Sequence, residues 1–312
     1  MLDVLVVGEL NVDIILNQID GFPEVGKEIL ANQMTVTLGS SSAIFASNLS
    51  SLGSRVSFLG KIGNDHFADI IEESLKTKGV ETDFIIRSKE FKTGSTIVMN
   101  YDMDRANVTF PGAMNHLSAK EVRDDILTEA KHLHVSSIFM QPALKPGLTD
   151  LFQRAKEFGL TTSIDPQWDP KEEWDVNLKA LLPLVDVFLP NTTELLHLTG
   201  ADTIEAGIDQ IKEYANIIVV KDGTNGACLF RNGNIHKLPA FINHEAIDAI
   251  GAGDSFDAGF IHKYIQNLPL EECLRFGNLT GAINTTEAGG TTAFESIEKI
   301  KEIAQSRFAY TI

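Results

Sequence analysis

The sequence predicts an α/β fold: a mostly parallel sheet covered by helices on both faces, with a small β-rich flap at its edge. Short continuous runs of β-branched residues recur along the chain, and amphipathic segments lie between them. Two strips, 12–36 and 92–112, break that rhythm with period-two alternation and Gly, Pro and Asn interruptions, as hairpin strands do.

Taken in order, MLDVLVVGEL holds the first buried strand, Val4 to Val7; Asp3, Glu9 and the break at Gly8 argue against a signal peptide. The first hairpin strip follows, then a helix through Ala46 to Leu52 and Gly53. Further strands are expected at Val56 to Leu59, His132 to Ser136, Thr161 to Ile164, Val185 to Leu189 and Ile217 to Val220. Helices are expected over 67–78, 118–130, 145–158 and 203–214, with acidic residues favoured in their first turns. A last helix starts at Gly251-Ala252-Gly253, and Phe256, Phe260, Ile261, Tyr264 and Ile265 form a stripe toward the sheet. No repeat and no long linker divides the 312 residues, so 1–312 reads as a single domain.

Composition excludes several classes. Apolar residues make up 43% and charged residues 22%, which is globular, and no stretch approaches the ~20 apolar residues of a membrane helix. A formal charge of -17 excludes nucleic acid and anionic membranes as partners, because both need a concentrated basic face. Cys228 and Cys273 stand far apart, outside any metal or disulfide pattern, and suit a reducing cytoplasm.

Glycine-rich segments need sorting. Gly21 to Lys27 has P-loop spacing up to its lysine, but Glu28 follows and Pro23 denies the strand-loop-helix context. Gly251 and Gly253 match two glycines of a dinucleotide fingerprint whose third position is Phe256, so a nicotinamide-dependent oxidoreductase is disfavoured. What remains is a turn feeding a helix whose first N-H groups lack internal partners and face an anion. Asp254 stands among those donors, either as a helix cap or as a base taking the proton of a hydroxyl that attacks a phosphoryl group.

The stretch Asp248-Ala249-Ile250-Gly251-Ala252-Gly253-Asp254-Ser255-Phe256-Asp257-Ala258-Gly259-Phe260 resembles the C-terminal signature D-T-x-G-A-G-D-x-F-x-A-G-F of the PfkB, or ribokinase-like, carbohydrate kinase family. The resemblance implies a three-layer α/β/α Rossmann-like core with a β-sheet lid made from about 12–36 and 92–112. It implies ATP and Mg2+, with Asp254 as catalytic base and the amides of Gly251, Ala252, Gly253 and Asp254 as anion hole. Asp248 and the Ile250 carbonyl lie where some members bind a monovalent cation such as K+. Ala249 replaces a usual Thr and removes no catalytic group. Asp257, one turn on, reads as solvated surface or packing.

Other segments fall where the family places them. Asn191-Thr192-Thr193-Glu194 is similar to the N-x-x-E element that orders Mg2+ and phosphate through water, and it also has capping-box spacing. Lys221 to Gly226 resembles the nucleotide-bordering segment, with Lys221, Gly223, Thr224 and Gly226 as contacts, and reads equally as a DG hairpin turn. On the acceptor side the resemblance implies that Asn11 and Asp13 bind sugar hydroxyls. Gly39 and Ser40 open a G-G-x-x-x-N element in which Ser40 and Ile44 replace Gly and Asn, which weakens a ribose reading. Gly60 to Asp65 reads as structural, and Gly112 to Asn115 as the return from flap to core.

Arg105, in Tyr101-Asp102-Met103-Asp104-Arg105, is similar to an arginine that meets the acid group in 2-keto-3-deoxygluconate kinases. Asp165-Pro166-Gln167-Trp168-Asp169 stands where D-x-N-x-R is usual, with Asp169 in the arginine position; Asp165 is a substrate-side residue, and Trp168 and Trp174 offer sugar-stacking faces. His132 and His134 lack a carboxylate at metal spacing and read as structural.

The expected function is therefore an ATP-dependent sugar kinase acting on a neutral ketose or pentose such as fructose or ribose, homodimeric through its lid. Alternatives are a sugar-acid kinase, a nucleoside kinase, or a catalytically silent sugar sensor, which the intact Asp254 disfavours.

Overall fold

Strand β1 (Leu2–Val7) lies inside an eight-stranded sheet and alternates its side chains between two separate cores. The computed structural model describes residues 1–101 and 104–312. The other strands of this sheet are β4 (Val56–Leu59), β9 (Ala130–Ser136), β10 (Thr161–Asp165), β11 (Val187–Phe188), β12 (Ile217–Lys221), β13 (Ala227–Arg231) and β14 (Asn234–Leu238). Their order is β14-β13-β12-β11-β10-β9-β1-β4. Every pair from β12 to β4 is parallel, while β13 and β14 return antiparallel at the edge.

Leu5 and Val7 face one core together with Leu133, Val135, Ile164 and Val220; it is closed by helices α3 (Asp124–Leu127), α4 (Leu148–Glu157), α5 (Leu178–Leu181), α6 (Thr192–Thr199) and α7 (Ile204–Ile211). Val4 and Val6 face the other, closed by α1 (Ser41–Ser51), α2 (His66–Thr77), α8 (Ala252–Tyr264) and α9 (Leu270–Asn284). This is the expected three-layer α/β/α core. Helix α10 (Ile297–Phe308) packs behind α9 around Phe276, Ile283 and Phe294. Among the described residues no helix is long and apolar enough to cross a membrane.

Both alternating strips form hairpins. Strand β2 (Asn11–Ile19) pairs antiparallel with β3 (Ala31–Leu38), and β7 (Gly94–Tyr101) with β8 (Asp104–Phe110). Parallel pairing of β2 with β7 joins them into a four-stranded sheet, order β3-β2-β7-β8. Asp102 and Met103 of the second strip lie outside the described residues. Two two-residue strands, β5 (Lys61–Ile62) and β6 (Ile86–Arg87), pair nearby. Gly21 to Lys27 lies exposed in the β2–β3 connection, with no helix to make it a P-loop.

The predicted helix over 118–130 is not continuous. A 3-10 turn at Ala119–Glu121 stops, and the chain bends before α3. Arg154 explains the break: its guanidinium donates to the carbonyls of Ala119 at 2.9 Å and Val122 at 2.7 Å, holding both out of a helical ladder. Only Val187–Phe188 of the predicted strand 185–189 joins the sheet, and the helix expected to 214 ends at Ile211.

Candidate active site

Helix α8 begins at Gly251, whose φ is 74° and whose Cβ, were there one, would lie 2.8 Å from the Gly290 Cα. A side chain there would meet both strain and a clash. No side chain caps the helix. Its first intrahelical bond runs from Ser255 N to Gly251 O at 2.8 Å, which leaves the amides of Gly253 and Asp254 ahead of the ladder. The Ala252 amide instead donates to the Ala249 carbonyl at 3.2 Å, so the expected anion hole loses that donor.

The turn is tied from three sides. Asn48 of α1 donates to Ser255 Oγ at 2.8 Å and to Gly290 O at 2.9 Å, and Asn284 of α9 donates to Ile250 O at 2.6 Å. Asp248 accepts from the amides of Ile250 and Gly289, both at 2.9 Å. The two oxygen groups expected to hold a monovalent cation therefore already serve protein donors. Ile44, in the family's Asn position, packs its methyls toward Gly251 and Gly290 and lines the cavity in front of the turn.

Asp254 is buried at the floor of that cavity, which encloses about 1240 Å3. Gln167 Nε2 donates to Asp254 Oδ1 at 2.9 Å and to Asp165 Oδ2 at 2.7 Å. Lys221 Nζ donates to Asp165 Oδ2 at 2.8 Å and to Asp257 Oδ2 at 2.9 Å. Burial, reinforced by the Asp165 charge and only partly opposed by Lys221, pushes the Asp254 carboxyl up to about 7. Burial alone would discharge Lys221, but Asp165, Asp257 and Glu194 outweigh it and hold the ammonium charged. Lys221 thus lines the cavity with its ammonium drawn inward.

Of the two readings of Asp257, solvated surface or packing, its burial decides for packing. It is buried, paired with Lys221, and its Oδ1 has no partner. Burial raises its carboxyl well above the ordinary range despite Lys221.

Glu9 is a cavity residue that sequence reasoning missed. Its carboxylate accepts from the Ser42 amide at 3.2 Å and from the Ser42 hydroxyl, and burial raises its pKa against those bonds. Its signal in the sequence is a carboxylate two residues after a buried strand. Ser40, at φ 73°, donates to the Glu9 carbonyl at 2.6 Å and accepts from the Ala43 amide at 3.0 Å, capping α1. Those bonds offset the left-handed conformation that a glycine would adopt freely.

The acceptor side is built on the four-stranded sheet. Asn11 Nδ2 donates to Asp13 Oδ1 at 2.9 Å and to Thr96 Oγ1 at 3.0 Å, and Thr96 bonds Thr109 at 3.0 Å. These residues, with Arg105 and Asn107, line the cavity from one face of the sheet. Thr96 and Thr109 were not anticipated. Burial lifts the Asp13 carboxyl to about 6, against the Asn11 bond and the Arg105 charge. A Cβ on Gly39 would stand 2.3 Å from Asp13 Oδ1, so the glycine leaves room for the carboxylate.

Asn191 and Glu194 form the capping box their spacing predicted. Glu194 N donates to Asn191 Oδ1 at 2.9 Å, while the Glu194 carboxylate accepts from Asn191 N at 2.9 Å and Asn191 Nδ2 at 2.6 Å. Both residues also line the cavity, and burial with the Asp165 charge pushes Glu194 up to about 8. Lys221 to Gly226 turns between the antiparallel β12 and β13. Gly223 borders the cavity with open space around it and Thr224 is exposed, whereas Gly226 (φ 98°) is required because a Cβ would sit 2.0 Å from Leu238 O.

Asp169 turns to the backbone, accepting from Lys171 N at 2.9 Å and Trp174 N at 2.7 Å. Trp174 stacks on His197 at 4.9 Å, while Trp168, half-exposed, edges onto both and faces the cavity. His132 and His134 are buried, bonded to Thr161 and Ser163, and kept neutral by burial, as a structural pair would be. Among the described residues no group of three or more His, Cys, Asp or Glu side chains is arranged to hold a metal ion.

The sequence profile described as pfkB family carbohydrate kinase matches residues 1–297. A 2-dehydro-3-deoxygluconokinase of Bacillus subtilis is 28% identical, over 96% of this chain and 94% of its own. A fructokinase-2 of Solanum habrochaites is 29% identical, over 84% and 87%. Among solved structures, Arabidopsis thaliana ribokinase complexed with ribose and ATP superposes with a TM-score of 0.85 at 23% identity, covering 96% of this chain and 98% of its own.

Proposed function

This chain belongs to the pfkB family of carbohydrate kinases, phosphotransferases with an alcohol acceptor, and from that premise we propose that it transfers the γ-phosphate of ATP to a hydroxyl of a small neutral sugar, a ketose or pentose such as fructose or ribose. One observation carries the reading: Asp254, buried at the uncapped start of α8, shares its cavity with the polar row Asn11, Asp13 and Thr96.

In the proposed reaction Asp254 takes the proton of the acceptor hydroxyl as that oxygen bonds to the γ-phosphorus and the bond to the ADP oxygen breaks. A carboxyl near 7 suits such a base at neutral pH. The Gly253 and Asp254 amides and the positive helix end stabilise charge on the phosphoryl oxygens. Asn11 and Asp13 hold sugar hydroxyls, and Gly223 permits close approach of the nucleotide. Mg2+, when bound, neutralises phosphate charge. Glu194, whose two oxygens already accept from Asn191, fits it through water rather than directly. No step is assigned to K+.

Residues 1–312 then act as one catalytic unit, the four-stranded sheet serving as a lid that excludes water, the competing acceptor. The opposite face of that sheet is apolar. Register aligns Val36, Ile14, Ile97 and Val108 in one row, and Met34, Val108 and Phe110 are exposed. A second copy covering this face is the economical solution, a homodimer through the lid. Light scattering at micromolar concentration is expected to give twice the 34.2 kDa chain mass, and a monomer mass would refute it. The two buried free cysteines support a reducing, cytoplasmic setting.

Arg105 on the cavity face favours a second reading, a sugar-acid kinase, while Asp169 in the usual arginine position favours the neutral sugar. A coupled ADP-release screen over neutral sugars, sugar acids, sugar phosphates and nucleosides separates them. The highest kcat/KM is expected with a ketose or pentose; turnover confined to sugar acids or nucleosides would overturn that choice.

A further inference from the structure

Glu9 after β1, Glu194 in α6 and Asp254 in α8 line the cavity together with Lys221 from β12, and two further carboxylates, Asp165 at the end of β10 and Asp257 in α8, lie buried behind that ammonium. A base in such company needs something to fix its rotamer and to choose which oxygen meets the substrate. Two neutral side chains reach it, the Ser41 hydroxyl and the Gln167 amide, and only the amide also ties it to a second carboxylate. Gln167 places a single Nε2 between Asp165 Oδ2 (2.7 Å) and Asp254 Oδ1 (2.9 Å), one hydrogen to each.

The backbone is built to deliver that amide. Gln167 sits at φ 60°, in the left-handed region, and its own N donates to Asp165 Oδ1 at 3.3 Å. Two more non-glycine residues of the same loop, Glu172 and Trp174, are also left-handed, at φ 55° and 51°. Asp169 locks the loop by accepting the Lys171 and Trp174 amides. Strain of this kind persists where the surroundings over-determine it, and here it aims one side chain at the base. An asparagine, usual at this position in the family pattern, is one methylene shorter; the glutamine supplies reach.

We infer that Gln167 is a positioning residue for the phosphoryl-transfer reaction: it clamps Asp254 Oδ1 against Asp165 and leaves Oδ2 as the oxygen that accepts the substrate proton. The inference rests on the reading of Asp254 as base. The clamp also favours the Asp254 anion, because its hydrogen bond is made to the charged form.

The test compares Gln167→Met, which keeps length without the donor, with Gln167→Asn, which keeps the amide and tolerates the left-handed backbone but loses reach. Both are expected to lower kcat roughly 10- to 100-fold, with sugar and ATP KM within about threefold. Gln167→Met should also move the acid limb of the kcat profile to higher pH. A purely structural residue would lower the melting temperature and leave that limb in place. Parent-like kcat and pH profile in both folded variants would overturn the inference while Asp254→Asn remained inactive. Activity in Asp254→Asn itself would instead overturn the base.

Discussion

Asp254→Asn is expected to lower kcat by about a thousandfold or more while nucleotide and sugar still bind. The substitution is isosteric, and Gln167 Nε2 can still donate to the remaining oxygen, so the cavity floor keeps its shape. What disappears is the carboxylate oxygen proposed to take the hydroxyl proton. Stability should change in the opposite sense. The Asp254 carboxyl is raised from 3.8 to about 7, chiefly by burial and then by Asp165. Between those values the native state holds a proton that the unfolded chain has released, so this group removes stability as pH rises through that window. Asparagine has no such loss. Urea midpoints measured from pH 5 to 8 should therefore fall more steeply for the parent, leaving the variant the more stable at pH 8. Equal turnover in the two proteins would end the assignment of the base, and a variant destabilised at pH 8 would end the account of its surroundings.

What could be read from the sequence follows from the range over which each cause acts. Buried strands such as Val4 to Val7 and the alternating strips 12–36 and 92–112 carry their burial pattern locally, and the glycines of residues 251–253 announce a backbone requirement. Asp257, three residues after Asp254, reads from the sequence as surface or packing without a choice between them. Helix α8 lies between the sheet, α1 and α9, so every residue from Asp254 to Ile261 is buried. Glu9 carries no site signal of its own in the sequence, since its partners Ser40 and Ser42 belong to another element. The broken helix at 118–130 has the same origin: Arg154, from α4, outbids the local propensity of residues 119–122. Local pattern therefore marks the residue proposed as base but not the side chains that surround it.

Lys221→Met carries the largest expected cost in stability, and it separates two roles for the lysine. A nucleotide contact would raise the ATP KM and leave folding alone. A structural role would show in folding, since the ammonium lies between Asp165 Oδ2 at 2.8 Å and Asp257 Oδ2 at 2.9 Å, with both carboxylates almost wholly inaccessible. Removing the cation leaves two buried carboxylates without their counter-charge, a loss of roughly 3–5 kcal/mol by analogy with other broken buried pairs. The protein can recover part of that only by protonating them. The Asp257 carboxyl, already raised by burial, loses the ammonium that opposes that rise and moves further up, so the deficit should be smallest near pH 5 and grow as pH rises toward 8. Adding Asp257→Asn removes one of the stranded charges and should restore part of the loss, most visibly at the alkaline end. A deficit under about 1 kcal/mol, or one that does not change with pH, would mean that the ammonium is not what holds these carboxylates in place.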